Sequence, residues 1–229
     1  MQSNGFGFEV RRHFDERAGR YDHDTETCDK QDFTNFERVI PYLIQMSGNA
    51  ILEVATGSGI VLDMLLNSKK DSYGLDFSTG LLTVANEKRP ATQRRLICGD
   101  AESLPFADDA FDDTCVFRSL HHIENPQLAL REMLRCTRKG LFVYDSAGEW
   151  RRLVKRALAK VHLYQAIYQL MRGHPDTGYR PANETEGPVK VFYAEDAIPI
   201  LTSAGARIVK IMTFPSSLFI HAEKRIGHE

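Results

Sequence analysis

The chain has 229 residues, 26% charged and 42% apolar, with a formal charge of −2 and an isoelectric point near 6.5. This suits one soluble globular domain, or one domain with a modest insertion. The charge balance leaves nothing to neutralise a phosphate backbone in bulk, so no nucleic-acid partner is expected.

Every apolar run is interrupted by Arg, Lys or Asp before it could cross a bilayer, so no membrane insertion is expected. The opening Met-Gln-Ser-Asn-Gly-Phe-Gly lacks the basic and apolar regions of a secretory signal. The cysteines, Cys28, Cys98, Cys115 and Cys136, form no C-x-x-C pair, which argues against a zinc knuckle or a dithiol motif. Cys98 and Cys115 fall in apolar, strand-like runs and read as reduced core thiols of a cytoplasmic protein.

Residues 1–45 are polar with spaced aromatics (Phe14, Tyr21, Phe33, Phe36, Tyr42) and read as a helical cover. Val39, Ile40, Leu43 and Ile44 have helical spacing, and Pro41 predicts a helix start or a kink. From Ala50 a strand–helix rhythm sets in. Strands are predicted at Ala50–Ala55, Ser72–Asp76, Arg95–Cys98, Asp113–Phe117 and Leu141–Tyr144. Helices are predicted at Val61–Leu66, Leu81–Glu87 and Pro126–Arg138, with Pro126 suited to a first turn. Such alternation specifies a parallel α/β sheet.

Next comes an amphipathic helix, Trp150–Arg172, with a basic polar face, and then a loop at Gly173–Pro188 rich in Gly, Pro, Asn and Thr. Ala206–Met212 and Leu218–Ala222, around Pro215, read as an antiparallel hairpin at the sheet edge.

The first strand runs through Glu53 into Ala55-Thr-Gly57-Ser-Gly59 and then opens a helix. Glycines at such a turn let the backbone approach a nucleotide-like ligand. The nicotinamide fingerprint G-x-G-x-x-G fails here, because Leu62 stands at its third glycine. Glu53 places a carboxylate that would repel a pyrophosphate and attract an ammonium group. Asp76 closes the second strand, where a carboxylate can accept from both hydroxyls of a ribose. Asp76 or Ser78 could alternatively cap the helix that follows. The third strand leads into Asp100-Ala-Glu-Ser-Leu-Pro-Phe-Ala-Asp-Asp-Ala-Phe-Asp112.

This ordered set resembles the class I S-adenosylmethionine-dependent methyltransferases, in the small-molecule branch that includes ubiquinone/menaquinone-type C-methyltransferases. The resemblance is strong over residues 48–148. It implies a Rossmann-like fold: an open, doubly wound, mostly parallel seven-stranded sheet with an antiparallel C-terminal hairpin. It also implies S-adenosyl-L-methionine as cofactor.

Carried over by position, Glu53 and the backbone around Ala55, Gly57 and Gly59 would hold the methionine moiety, and Asp76 the ribose. Phe77 would lie against the adenine, Asp100 would accept from its amino group, and the Ala101 amide would donate to a ring nitrogen. Arg118 and Tyr21 join this cofactor set. Ala55 departs from the family glycine at its position, and its extra methyl is expected to be tolerated. Tyr21-Asp22, with Phe14 and Ala18, matches an N-terminal segment that folds over the cofactor in relatives; an aromatic anchor for a terminal helix is the other reading.

Arg118-Ser-Leu-His121-His122 follows the fourth strand, at the carboxyl edge where open α/β sheets bind ligands. His121 and His122 are the candidate general bases, with His122 partly structural. No metal-ligand spacing such as H-E-x-x-H accompanies them, so no metal is expected.

One domain is expected. It comprises the cover (1–45), a cofactor core (48–148), a lid over the acceptor (150–188), and a C-terminal helix with the hairpin (189–229). The reading is methyl transfer by in-line displacement to a small or medium-sized organic acceptor. A carrier-bound or peptide substrate, or a catalytically inactive cofactor-binding partner protein, are the alternatives. Peripheral membrane contact stays open, as does the oligomeric state.

Overall fold

A computed structural model describes residues 5–22, 30–147, 179–183, 187–190, 192–214 and 217–225. The chain begins with α1 (Gly5–Arg17), a 3-10 turn (Ala18–Arg20) and α2 (Lys30–Met46). The core follows as β1 (Ala50–Val54), α3 (Ile60–Asn67), β2 (Asp71–Asp76), α4 (Thr79–Lys88) and β3 (Leu96–Cys98). It continues with β4 (Phe111–Phe117), a 3-10 turn (Leu120–His122), α5 (Pro126–Cys136) and β5 (Thr137–Ser146). The remainder is β6 (Tyr179–Asn183), β7 (Gly187–Lys190), α6 (Ala194–Ser203), β8 (Ala206–Thr213) and β9 (Ser217–Lys224).

Among the described residues, seven strands form one sheet in the order β3-β2-β1-β4-β5-β9-β8. The first five are parallel, and β9 and β8 run antiparallel. The expected α/β sheet with its C-terminal hairpin is therefore present. Strand order reverses beside β1, which pairs with β2 on one side and β4 on the other. Ligands of open α/β sheets bind at that reversal, beyond the carboxyl ends of the strands.

The period-2 alternation of β1 sends Leu52 and Val54 into the core beneath α5 and α6, and Ile51 toward α2 and α3. Both faces are thus covered, which explains the near-continuous apolar run. A third cluster joins α1 to α4 through Val10, Phe14, Ala18, Leu81 and Val84, so the N-terminal cover sits on the helix after β2.

Several expectations need correction. Helix α2 runs through the exposed Pro41 rather than starting there. Proline removes one N–H from the ladder, and at an exposed position water serves the carbonyl left over. Helix α5 stops at Cys136, short of Arg138. Thr137 Oγ1 donates to the carbonyls of Asp112 and Gly140, and Arg138 Nη1 donates to that of Asp109, binding this stretch to the start of β4. Strand β5 consequently runs from Thr137 to Ser146 and carries Asp145, which lay beyond the predicted strand.

The expected 173–188 loop contains β6 and the first half of the antiparallel β7, with Tyr179 opposite Lys190 and Asn183 opposite Gly187. Asn183 and Gly187 face each other at the ends of the two strands, and Pro181 and Pro188 lie in this two-stranded ribbon, where unpaired edges tolerate them. Backbone contacts place β7 beside α1 and the Leu120–His122 turn. Cys98 is exposed, because β3 is an edge strand, whereas Cys115 and Cys136 are buried. The predicted 150–172 helix and Cys28 lie outside the described residues. No helix among the described residues is long and apolar enough to cross a membrane.

Candidate active site

The turn after β1 is built on left-handed backbone: φ is 55° at Ala55, 56° at Gly57 and 79° at Gly59. Glycine enters this region freely, whereas Ala55 does so at a cost of about 1–2 kcal/mol. The methyl expected to be harmless thus sits on strained backbone. A Cβ on Gly74 of β2 would lie 2.8 Å from Thr56 and 2.9 Å from Leu62, so glycine there lets the turn pack onto the sheet. Above Gly57, the Tyr21 ring lies 3.8 Å from the point a Cβ would occupy. The N-terminal segment therefore roofs the turn.

Two buried carboxylates flank this turn. Register places Glu53 between Gly74 and Cys115, in the middle of the sheet. Its Oε2 accepts from Thr56 Oγ1 at 2.5 Å. Burial pushes its pKa up to about 8, against hydrogen bonds from Thr56 and the Leu62 amide. Asp76 Oδ2 accepts from the Gly57 amide at 2.8 Å and Oδ1 from the Ser78 amide at 2.9 Å. Burial raises Asp76 to about 6 despite these bonds. Ser78 caps α4 by accepting from the Leu81 amide at 3.1 Å, so the capping role considered for Asp76 belongs to Ser78. An ionised carboxylate offers about four acceptor sites, which leaves Asp76 room for a diol.

Phe77 and Tyr21, both partly buried, pack on the α1–α4 cluster. Asp100 is exposed beyond β3 and accepts from the Glu102 amide at 2.9 Å, and Ala101 beside it is buried. Glu53, Ala55, Gly57, Gly59, Asp76, Phe77, Asp100 and Ala101 all follow or close the carboxyl ends of β1, β2 and β3. The donor set fits the implied cofactor: two desolvated acids for an ammonium and a diol, and a further acid for an amine.

The neighbouring part of the edge holds the histidines. Arg118 also has left-handed backbone, with φ 53°, and its amide donates to the Tyr144 carbonyl at 2.7 Å. Bulky residues hold such a conformation only where surrounding structure imposes it. The next turn presents His121 and His122, with ring centroids 4.1 Å apart. His122 meets the edge of Phe14 at 5.0 Å, so α1 reaches this turn as well as the glycine turn. His121 Nδ1 lies 2.7 Å from Asp145 Oδ1. Asp145 is fully buried; its Oδ2 accepts from the Leu120 amide at 2.8 Å and its Oδ1 from the Ser146 amide at 2.7 Å. Burial opposes its ionisation, but His121, the Ser146 amide and Arg118 hold its pKa below the usual carboxylate value. Asp145 is the residue that sequence reasoning missed; an acid closing an otherwise apolar strand was the available signal.

The methyltransferase domain family matches residues 52–144. The demethylmenaquinone methyltransferase of Paenarthrobacter aurescens is 30% identical over 175 residues, covering 73% of this chain and 68% of that protein. The chain belongs to the class I S-adenosylmethionine-dependent methyltransferases. The demethylmenaquinone methyltransferase of Renibacterium salmoninarum is 34% identical over 133 residues, 58% of this chain and 55% of the relative, so this match spans about half of that protein. Among solved folds, the magnesium protoporphyrin IX methyltransferase of Synechocystis with bound SAH superposes with a TM-score of 0.57 at 16% identity, covering 84% of this chain and 82% of that one. At that identity the likeness concerns the fold.

Proposed function

We propose that this methyltransferase transfers the methyl group of S-adenosylmethionine to a small, partly apolar organic acceptor. The observation that carries the reading is the pair of buried acids, Glu53 and Asp76, around a left-handed glycine turn at the strand-order reversal. When bound, the cofactor supplies a methyl group already activated on a sulfonium.

The chain's own residues position and enclose it. Glu53 faces the ammonium of the methionine moiety, and Asp76 takes the ribose hydroxyls. Phe77, Asp100 and the Ala101 amide hold the adenine. Tyr21 closes the roof, and Arg118 borders the site from the end of β4. Aligning the acceptor with the methyl group and excluding water can supply up to about 7–11 kcal/mol of the barrier. In this division of labour, residues 48–148 hold the cofactor, while α1, the histidine turn and the 150–188 segment shape the acceptor side.

The relatives named for demethylmenaquinone make a lipophilic quinol the first acceptor to test. A reducing, cytoplasmic setting agrees with the free thiols of Cys115 and Cys136, and the net charge of −2 favours no nucleic-acid substrate.

The test is calorimetry with S-adenosylhomocysteine, followed by transfer of labelled methyl from S-adenosylmethionine to reduced 1,4-dihydroxynaphthalene. Micromolar or tighter binding with label in the product is expected. No binding by folded protein would refute the reading.

A further inference from the structure

On the reading just given, we propose that His121 is the general base of the transfer, that Asp145 is its positioning residue, and that the acceptor is therefore an aromatic or enolic hydroxyl compound. Asp145 is fully buried and accepts from two backbone amides as well as from His121 at 2.7 Å. An ionised carboxylate can only accept, so His121 Nδ1 must donate. In the neutral ring the lone pair then lies on Nε2, on the opposite side from buried Asp145. The His121 side chain keeps 13% of its surface exposed, at the carboxyl edge beside the glycine turn. A carboxylate behind an imidazole fixes the tautomer and stabilises the imidazolium once the proton arrives.

The groups around His121 come from three directions. Asp145 and Arg118 lie at the sheet edge, His122 is on its own turn, and α1 brings His13, whose ring lies 5.3 Å from that of Phe14. Asp145 makes the direct hydrogen bond, and Arg118 acts on Asp145 through charge. His122 packs against Phe14 in a T-shaped contact at 5.0 Å, whereas His121 holds the buried carboxylate that orients a base, and it is His121 that we assign as the base.

The step balances as follows. The acceptor O–H bond breaks and its proton passes to His121 Nε2. The oxygen, or the ring carbon made nucleophilic by it, forms the new bond to the methyl carbon. The methyl–sulfur bond breaks, and its electron pair leaves on sulfur. Where carbon attacks, the ring restores its aromaticity by releasing the hydrogen of that carbon as a proton. His121 returns its proton to solvent. An imidazole base suits an acceptor whose hydroxyl is acidified by conjugation, and it serves no purpose for an acceptor without an exchangeable proton.

The test compares reduced 1,4-dihydroxynaphthalene with its dimethyl ether as acceptors, using wild type, Asp145→Asn and His121→Ala. Wild type is expected to methylate the quinol and leave the ether untouched. Both variants should lose roughly 10²–10⁴-fold in kcat, with the dissociation constant of S-adenosylhomocysteine within about threefold. The acidic limb of the wild-type kcat–pH profile should follow His121 and move in Asp145→Asn. Added imidazole should restore part of the His121→Ala activity, which covers the case in which Asp145→Asn does not fold.

Nitrogen NMR of the cofactor-free wild type should place the His121 proton on Nδ1 above its titration. Any of four results would overturn the inference. These are an Nε2–H tautomer in wild type, a folded variant keeping kcat within threefold, methylation of the ether as readily as the quinol, or transfer to neither by protein that binds S-adenosylmethionine. Failure to bind S-adenosylhomocysteine would instead sink the methyl-transfer reading, while the tautomer still decides the dyad.

Discussion

The role proposed for Glu53 would make cofactor binding a proton-coupled event. Burial raises its pKa to about 8 in the cofactor-free protein, so at pH 7 it is mostly protonated. Its proposed role toward the cofactor ammonium requires the carboxylate. Ionising it at pH 7 costs about 1.4 kcal/mol, and about twice that at pH 6. Apparent affinity should therefore weaken about fivefold from pH 8 to pH 7 and about fiftyfold by pH 6. Below pH 6 Asp76, raised to about 6, steepens the loss. Above about pH 8 the α-amino group of the ligand begins to deprotonate, and affinity falls again.

The same sign governs stability. A carboxyl raised on folding contributes stability that is present below its unfolded pKa and is lost as pH rises through the folded value. At Glu53 that loss accrues from about pH 4.5 up to about pH 8, and the ligand should offset it. The assay is calorimetry with S-adenosylhomocysteine in buffers of different ionisation enthalpy. About 0.9 proton should leave Glu53 per ligand bound at pH 7. Glu53→Gln should remove this release and flatten the dependence between pH 6 and 8. At pH 8 it should weaken binding by roughly 1.5–3 kcal/mol, the worth of a hydrogen bond to a charged group. A wild-type affinity that changes less than threefold between pH 6 and 8, or an unchanged affinity in Glu53→Gln, would refute the placement.

Ala55→Gly should stabilise the protein by about 0.5–1 kcal/mol, because relief of left-handed strain outweighs the added freedom of the unfolded chain; a lower melting temperature would show that Ala55 is not strained. Gly74→Ala should destabilise by about 1–3 kcal/mol, since the new Cβ would meet Thr56 at 2.8 Å and Leu62 at 2.9 Å, both held in the core. Chemical denaturation measures this, and a loss under about 0.5 kcal/mol would mean the turn after β1 can move away.

The legible parts of this molecule are those in which one local rule acts in one place. Apolar runs four to six residues long, punctuated by glycine and proline, marked the strands. The acid–glycine-turn–acid order marked the turn at the strand-order reversal, because each of those residues answers to the backbone next to it. Asp145 was not legible in the same way. Its partners are His121 and the Leu120 amide, 24 and 25 positions earlier, and only the β4–β5 pairing brings them together. Thr137 and Arg138 escaped for a related reason: bonds to Asp112 and Asp109 override the helical pattern that continues through them. Cys98 looked like a core residue because its run is apolar, and strand order, which no local pattern specifies, put that run on the edge.

The N-terminal cover touches both the glycine turn, through Tyr21, and the histidine turn, through Phe14, and its attachment is electrostatic as well as apolar. Asp15 Oδ1 accepts from Ser78 Oγ at 2.7 Å and from the Gly80 amide at 2.9 Å, a carboxylate at the start of α4, where the helix dipole favours it. Asp22 pairs with Arg89 at 3.0 Å, and Arg89 also donates to the Ser58 carbonyl of the glycine turn at 2.7 Å. Burial would raise Asp22, yet Ser58, Arg89 and Lys88 hold its pKa below the usual value, so it is ionised. Arg89 thus joins the cover to the glycine turn, the proposed cofactor site. Asp22→Asn keeps the shape and removes the charge. The pair is nearly but not fully buried, so the loss is discounted to about 1 kcal/mol, or roughly fivefold in an equilibrium constant. That loss should fall on opening of the cover, with faster amide exchange in α1, unchanged exchange in β1 and β4, and a faster S-adenosylhomocysteine off-rate. Equal acceleration in cover and core would mean that Asp22 supports the whole fold. No change in α1 would mean that the apolar cluster of Val10, Phe14 and Leu81 alone holds the cover down.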